Sequence, residues 1–250
     1  IEPSYNDIHL LGNNRIAVGK AINPEAPYQG SLYAIADMNG KLYTKFMYTT
    51  VLPFERNYAS ASDGKRTFFI IKNGTLATGL PVLKGSGTLT FVGDLIKATM
   101  NQRISYYTRE GKLVFKQNTV IPLNRQYRVI EKEYNPKEDY YVYYPQIDGM
   151  SKFTVQNRVN EQLKKLSIEP KLGDEIQEYT YSADFNVEFF KKDLLVLELE
   201  AYQYPLGAAH GMPFQTYPHV NLMNGKFYKL KDLFKKDSDY VGVLSEIIGE

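Results

Sequence analysis

Apolar and polar positions alternate strictly in two neighbouring stretches of the second half of the chain. In 181–190, Phe185, Val187 and Phe189 alternate with Asp184, Asn186 and Glu188. In 194–204, Leu195, Leu197 and Leu199 alternate with Val196, Glu198 and Glu200. A period of two predicts strands with one buried and one wet face, and Lys191-Lys192-Asp193 between them is short enough for a hairpin. Over 151–166 the period changes. Val155, Val159, Leu163 and Leu166 form one stripe, with Asn157, Arg158, Glu161 and Gln162 off it, which predicts an amphipathic helix bounded by Gly149 and Pro170. Ahead of it, 139–145 reads as an aromatic strand ended by Pro145. Further on, a strand pair turns at Asn224-Gly225. A final helix then follows Ser238 as its N-cap, with Tyr240, Val241, Leu244, Ile247 and Ile248 as its apolar face.

The first 120 residues carry a degenerate repeat. Tyr33-Ala-Ile-Ala-Asp-Met-Asn-Gly40, Phe69-Ile-Ile-Lys-Asn-Gly74 and Ile104-Ser-Tyr-Tyr-Thr-Arg-Glu-Gly111 each run from apolar residues through a polar pair to glycine, and a leucine follows two positions on. The glycines stand 34 and 37 residues apart, a period that marks an array of supersecondary units. Glycine accepts the positive φ of a tight turn, so the segment reads as short antiparallel strands without a substantial helix. The pattern resembles the bacterial WG-repeat family in its Gly40-Lys41 and Gly111-Lys112 turns and its acidic step at Asp37. The family's Trp-Gly pair is replaced by Tyr33-Ala34 and Ile104-Ser105. In that family the repeats serve as structural or binding arrays, and a plain β-meander is the competing reading.

Pro122, Asn135-Pro136 and the run Glu131-Lys132-Glu133 suggest a connection. The expected organisation is therefore a β-rich repeat domain over 1–118, a linker over 119–138 and a second domain over 139–250. The order strand, helix, strands, helix predicts an α+β fold overall: an all-β antiparallel repeat domain, then an antiparallel sheet packed with two helices.

The second half resembles a bacterial domain family of unknown function. That family forms the extracytoplasmic part of a lysozyme-binding anti-sigma factor and accompanies peptidoglycan deacetylase domains. The likeness rests on Tyr144-Pro145-Gln146-Ile147, on Tyr202-Gln-Tyr204-Pro-Leu-Gly207-Ala-Ala-His210-Gly211, on Val220-Asn221-Leu222 with Asn224-Gly225-Lys226, and on Leu230-Lys-Asp232-Leu-Phe234. Asn221 and Asn224 replace the family's usual Asp and Thr. The family continues past the final helix with further strands, so either this is a fragment whose sheet is incomplete at Glu250 or this member ends short.

Composition mostly removes chemistries. The chain has 250 residues, no Cys, no Trp, 3 His and 21 Tyr. Without Cys there is no disulfide scaffold, thiolate metal site or cysteine nucleophile. Residues 1–150 hold 18 Lys+Arg against 13 Asp+Glu, and 151–250 hold 12 against 15, which is no concentrated basic face for nucleic acid. No apolar run approaches the roughly 20 residues of a membrane helix. His210, in its glycine-flanked turn with Asp184, Glu198 and Glu200 on neighbouring strands, is either a metal ligand or general base, or a histidine that fixes the turn through backbone hydrogen bonds. The second is preferred, since no ligand spacing accompanies it. Glu198 and Glu200 could flank a sugar bond but more simply form a solvated strand face. No serine elbow or phosphate loop occurs.

Tyr202, Tyr204, His210 and Tyr217 form the candidate binding cluster, because aromatic bodies with polar tips suit protein or sugar recognition. Gly207, Gly211, Asn224 and Gly225 are the structural turn residues. The expectation is a non-catalytic, exported cell-envelope protein, free of metal and cofactor, that recognises a lysozyme-like protein or peptidoglycan. The alternative is an accessory or catalytic part of a peptidoglycan-modifying enzyme with a metal at His210.

Overall fold

The three repeated glycine turns fold alike in the computed structural model, which describes residues 4–137, 139–169 and 178–249. In each, the glycine N–H donates to the carbonyl three residues earlier: Gly40 to Asp37, Gly74 to Ile71, Gly111 to Thr108. That earlier residue then donates to the carbonyl just past the glycine, so Asp37 reaches Lys41, Ile71 reaches Thr75 and Thr108 reaches Lys112. The glycines sit at φ of +87°, +80° and +87°, the left-handed region that closes a turn of this length at least cost. The leucine two positions on bridges back across the turn, Leu42 to Ala36, Leu76 to Ile70 and Leu113 to Tyr107.

These turns belong to the first of two compact units, 1–118 and 119–250. Among its described residues, the first unit holds three antiparallel sheets. One is β1 (Asp7–Gly12), β2 (Arg15–Ala21) and β3 (Ser31–Asp37). The second is β4 (Thr50–Val51), β5 (Ala59–Ser62), β6 (Arg66–Ile70) and β7 (Leu83–Lys84). The third is β8 (Gly87–Val92), β9 (Leu95–Met100), β10 (Arg103–Thr108) and β11 (Leu113–Lys116). Ile35, Ala61, Phe68 and Ile70 bury the contact of the first two sheets, and Phe69, Leu89, Ile96 and Ala98 that of the last two. β6 contributes to both clusters because its successive side chains point to opposite faces.

Among its described residues, the second unit holds one sheet. Its order is β12 (Val120–Pro122), β13 (Arg128–Tyr134), β14 (Tyr140–Asp148), β15 (Tyr179–Lys191), β16 (Leu194–Pro205), β18 (His219–Asn221) and β19 (Phe227–Tyr228), with β17 (Met212–Thr216) also on β16. Helix α1 (Phe153–Ile168) packs Val159 and Leu163 against Leu195, Leu197, Leu199 and Val220, all of them buried. Helix α2 (Tyr240–Ile248) closes the chain.

Several expectations are corrected here. The α+β assignment with an antiparallel sheet and two packed helices does not hold: strand takes up 48% and helix 14% of the described residues. The C-terminal sheet is mixed, because β14 and β15 run parallel where Tyr140 pairs with Tyr181. Among the described residues, α1 is the helix whose buried side chains join the core of this sheet. α2 has no buried residue, and Ile247 is 75% exposed. Its N-cap is Asp239, whose Oδ1 accepts from the Gly242 N–H at 3.1 Å, and not Ser238. The 119–138 segment is no linker, since β12 and β13 extend the sheet and β13 pairs with β14 from Arg128↔Asp148 to Tyr134↔Val142. Nor does Pro145 end its strand. Its partner Glu131 sends its N–H away from β14, to the Thr119 carbonyl at 2.7 Å. The missing proline N–H therefore faces the side that β15 reaches only as far as Val142. The alternation of β15 also breaks. A bulge between Val187 and Phe189 leaves Phe189 exposed and turns Phe190 inward, 6.0 Å from the Tyr127 ring.

Two polar devices fix α1. Asn160 pairs its side-chain amide with both backbone groups of Ile147, at 2.7 and 2.9 Å, where β15 has diverged from β14. At the helix end, Tyr181 Oη donates to the Ser167 and Glu169 carbonyls at 3.0 and 3.2 Å, and Tyr140 Oη donates to that of Ile168. The last turn of a helix has carbonyls without intrahelical partners, and these phenols supply them. Burial pushes both phenol pKa values far up, so the donors stay protonated. Tyr181→Phe is accordingly expected to destabilise the unit by about 1–2 kcal/mol without changing the denaturant slope. Urea titration followed by far-UV circular dichroism checks this.

Candidate functional site

With Leu195, Leu197 and Leu199 turned to the core, the even positions of β16 face outward, and they collect the polar groups of three strands. Across β15, Glu198 stands opposite Asn186 and Glu200 opposite Asp184; across β17, Glu200 stands opposite Gln215. Tyr217, just past β17, donates from Oη to Glu198 Oε1 at 2.7 Å. Gln215 Nε2 donates to Glu198 Oε1 and Glu200 Oε1, each at 3.3 Å, and Asn186 Nδ2 donates to Glu198 Oε2 at 3.1 Å. Hydrogen bonds from Tyr217 and then Asn186 hold the Glu198 carboxyl below the usual glutamate range, so it stays ionised. The bond to Glu198 raises the Tyr217 phenol, and Glu188 and Glu200 add to that shift. The result is a preorganised acidic face around one half-exposed tyrosine.

The expected cluster is brought together only in part. Tyr217 belongs to the acidic face. Tyr202 is 44% exposed and its hydroxyl accepts from the Gly211 N–H at 3.1 Å. Tyr204 braces the following turn, donating to the Ala208 carbonyl at 2.8 Å. His210 lies exposed, with Nδ1 3.2 Å from the Gly211 carbonyl. Among the described residues, no group of three or more His, Cys, Asp or Glu is arranged to hold a metal ion.

The turn residues act in different ways. Gly207 takes φ +84°. Gly211 instead makes room, because a Cβ there would stand 2.6 Å from Tyr202 Cζ. Asn224 and Gly225 close against α1: Arg158 Nη2 donates to the Asn224 carbonyl at 3.2 Å, and Gly225 leaves space for Val155.

From the sequence, Glu198 and Glu200 read as a catalytic pair, as carboxylates beside His210, or as a solvated face. That reading missed Asn186 and Gln215, although the strand alternation already put Asn186 on the same side as Glu198. Gln215 had no such signal, since its register depends on a return of the chain. A second concavity of about 530 Å3 between β14 and α1 is lined by amides of Gln146, Gln156 and Asn157 and by Phe153, which is 71% exposed.

No family model matches the sequence, and no curated protein does. Among solved structures, a DUF3298 family protein from Pseudomonas aeruginosa is similar over 51% of this chain and 64% of its own, at 15% identity and a TM-score of 0.35. A member of the same family from Bacteroides fragilis is similar over 52% and 67%, at 16% identity and a TM-score of 0.35. Hsv2 from Kluyveromyces marxianus is similar over 94% and 78%, at 11% identity and a TM-score of 0.27. The chain thus spans less than two thirds of the first of these. Two of these three neighbours are members of a domain family of unknown function. Among the described residues, no helix is long and apolar enough to cross a membrane.

Proposed function

We propose that this protein is a non-catalytic binding protein of the bacterial cell envelope, and that the acidic face of β15, β16 and β17 receives a basic protein partner. One observation carries the reading. Asp184 and Glu200 stand directly opposite each other on neighbouring strands, beside Glu198 and Glu188. Like charges placed so are destabilising, and a fold keeps such a local conflict chiefly where a site needs it. Asp184 accepts from the Phe185 N–H at 2.8 Å and Glu200 from Gln215 Nε2 at 3.3 Å, and a cationic surface would add to these contacts. Residues 119–250 carry 20 Asp+Glu against 16 Lys+Arg, which favours the same sign of partner.

The resemblance of the second half to the extracytoplasmic part of a lysozyme-binding anti-sigma factor makes lysozyme, a basic protein, the first candidate. On the same reading the protein is extracytoplasmic, as its lack of cysteine suits, and the 1–118 repeats act as a WG-like array that precedes the binding unit in the chain. The amide-lined concavity with its exposed Phe153 favours peptidoglycan as the other ligand to be tried, since an aromatic ring with amides suits a sugar. Isothermal titration with lysozyme and, separately, with soluble peptidoglycan fragments tests the proposal. Binding of lysozyme that weakens with salt is expected, and failure of both ligands at high micromolar concentration would remove it.

A further inference from the structure

The first unit contains a small cleft outside the site described above. Its volume is about 150 Å3, and Glu55, Arg56, Tyr58, Phe91, Gly93 and Arg109 line it. At roughly 30 Å3 per water this is room for about five waters, well below the 300 Å3 or so of an ordinary ligand pocket. One compact group fits.

The floor is aromatic and rigid. Tyr58 and Phe91 lie with ring centroids 5.9 Å apart, and Phe91 stacks at 4.6 Å on Phe69, which is buried in the core. Arg109 is the residue after Thr108 in the third glycine turn. Its guanidinium lies 5.5 Å from the Phe91 centroid, and Nη2 donates to the Gly93 carbonyl at 3.4 Å. These contacts hold the planar fork and leave most of its N–H groups unused. Neighbouring Glu110 hydrogen-bonds Thr108 and also feels the Arg109 charge. Arg56 sits at φ +57°, and Asn13 Nδ2 donates to its carbonyl at 2.8 Å. A non-glycine residue rarely adopts that conformation, which costs stability wherever it is kept. Among the described residues, neither guanidinium has a carboxylate partner in an ion pair.

The charges select the guest. Among the lining residues, Arg56 and Arg109 stand against the single carboxylate of Glu55, a formal +1 that suits a monoanion, while Glu110 acts on Arg109 from outside the lining. A guanidinium fork pairs with a planar carboxylate through two parallel hydrogen bonds. Phe91 has Phe69 stacked on it and the Arg109 guanidinium over it, so Tyr58 is the ring left to meet whatever carries that group. We propose that this cleft binds a small monocarboxylate bearing a flat ring, with its carboxylate between Arg56 and Arg109 and its ring against Tyr58.

Amide-detected NMR titration of the full chain with benzoate, acetate and phosphate tests the assignment. Saturable shifts of the Gly93 and Arg109 amides with benzoate are expected, with a Kd on the order of 1 mM. Acetate, lacking the ring, and phosphate, with its second charge, should each bind more weakly. Arg109→Ala should weaken benzoate roughly tenfold, and Arg109→Lys, which keeps the charge but loses the fork, should fall in between. Unchanged amide positions for Leu89 and Ile96 establish that the variants fold. The inference is overturned by absence of a saturable shift up to about 50 mM benzoate, by equal affinity in Arg109→Ala, or by tighter binding of phosphate. None of these outcomes depends on whether the acidic face of the second unit binds lysozyme.

Discussion

Gly149→Ala is expected to destabilise the second unit by at least about 3 kcal/mol, a large share of the roughly 5–15 kcal/mol that holds a domain folded. Gly149 follows β14 at φ +96°. A Cβ built there would stand 1.9 Å from the Gln126 carbonyl oxygen, 2.9 Å from its carbon and 3.3 Å from Tyr127 Cα. All three are backbone atoms, so no side chain can rotate away. Relief would require the start of β13 to move, and Tyr127 and Val129 there belong to the core under α1. The left-handed φ adds about 1–2 kcal/mol of its own for an alanine.

Gly207→Ala separates the two contributions, because Gly207 has φ +84° and nothing within 4 Å of its would-be Cβ. Only the conformational part, about 1–2 kcal/mol, is expected there. Urea unfolding of both variants measures the difference; equal losses would show that the clash at Gln126 is absorbed.

Glu200→Lys is expected to weaken binding of a basic protein at least about tenfold while leaving stability unchanged or raising it by about 0.2–1 kcal/mol. The opposite signs follow from the register. In the free protein Glu200 faces the like charge of Asp184, so a lysine there turns a repulsion into an attraction. Toward a cationic partner the same change removes an attractive group and adds a repulsive one. Glu198→Lys should cost more, because Glu198 accepts from Tyr217, Gln215 and Asn186 and its loss dismantles the network. A variant that lost binding only in proportion to lost stability would make the face a structural feature. Surface plasmon resonance alongside thermal unfolding distinguishes the two outcomes.

How far these features could be read from sequence depended on whether local pattern or long-range pairing decides them. The glycine turns at Gly40, Gly74 and Gly111 were legible because a φ near +80° selects glycine whatever lies around it. The inward leucines of β16 were legible because a period of two reports burial directly. The mixed sheet was not, since nothing local to 140–142 encodes a parallel partner some 40 residues on. The bulge at Val187 was hidden because Phe189 and Phe190 are equally apolar, and only the register tells which one faces the core. Residues 128–134 looked like a charged linker because Glu131, Lys132 and Glu133 mask the buried Val129 that begins the strand. Of the site, Tyr217 was found as an aromatic, whereas the carboxylate and amide partners that give it a setting lie on strands paired across long separations.

The central claim is an acidic face that captures a basic protein. The most direct measurement is calorimetric titration of lysozyme into the wild-type protein and into Glu200→Lys at about 50 and 500 mM salt, which brackets a Debye length shrinking from roughly 14 to 4 Å. The account predicts saturable wild-type binding that weakens at least about tenfold at the higher salt, and a Glu200→Lys variant that is both weaker and less salt-sensitive. Absence of wild-type binding at high micromolar concentration, or equal affinity of the two proteins at both salts, would contradict it.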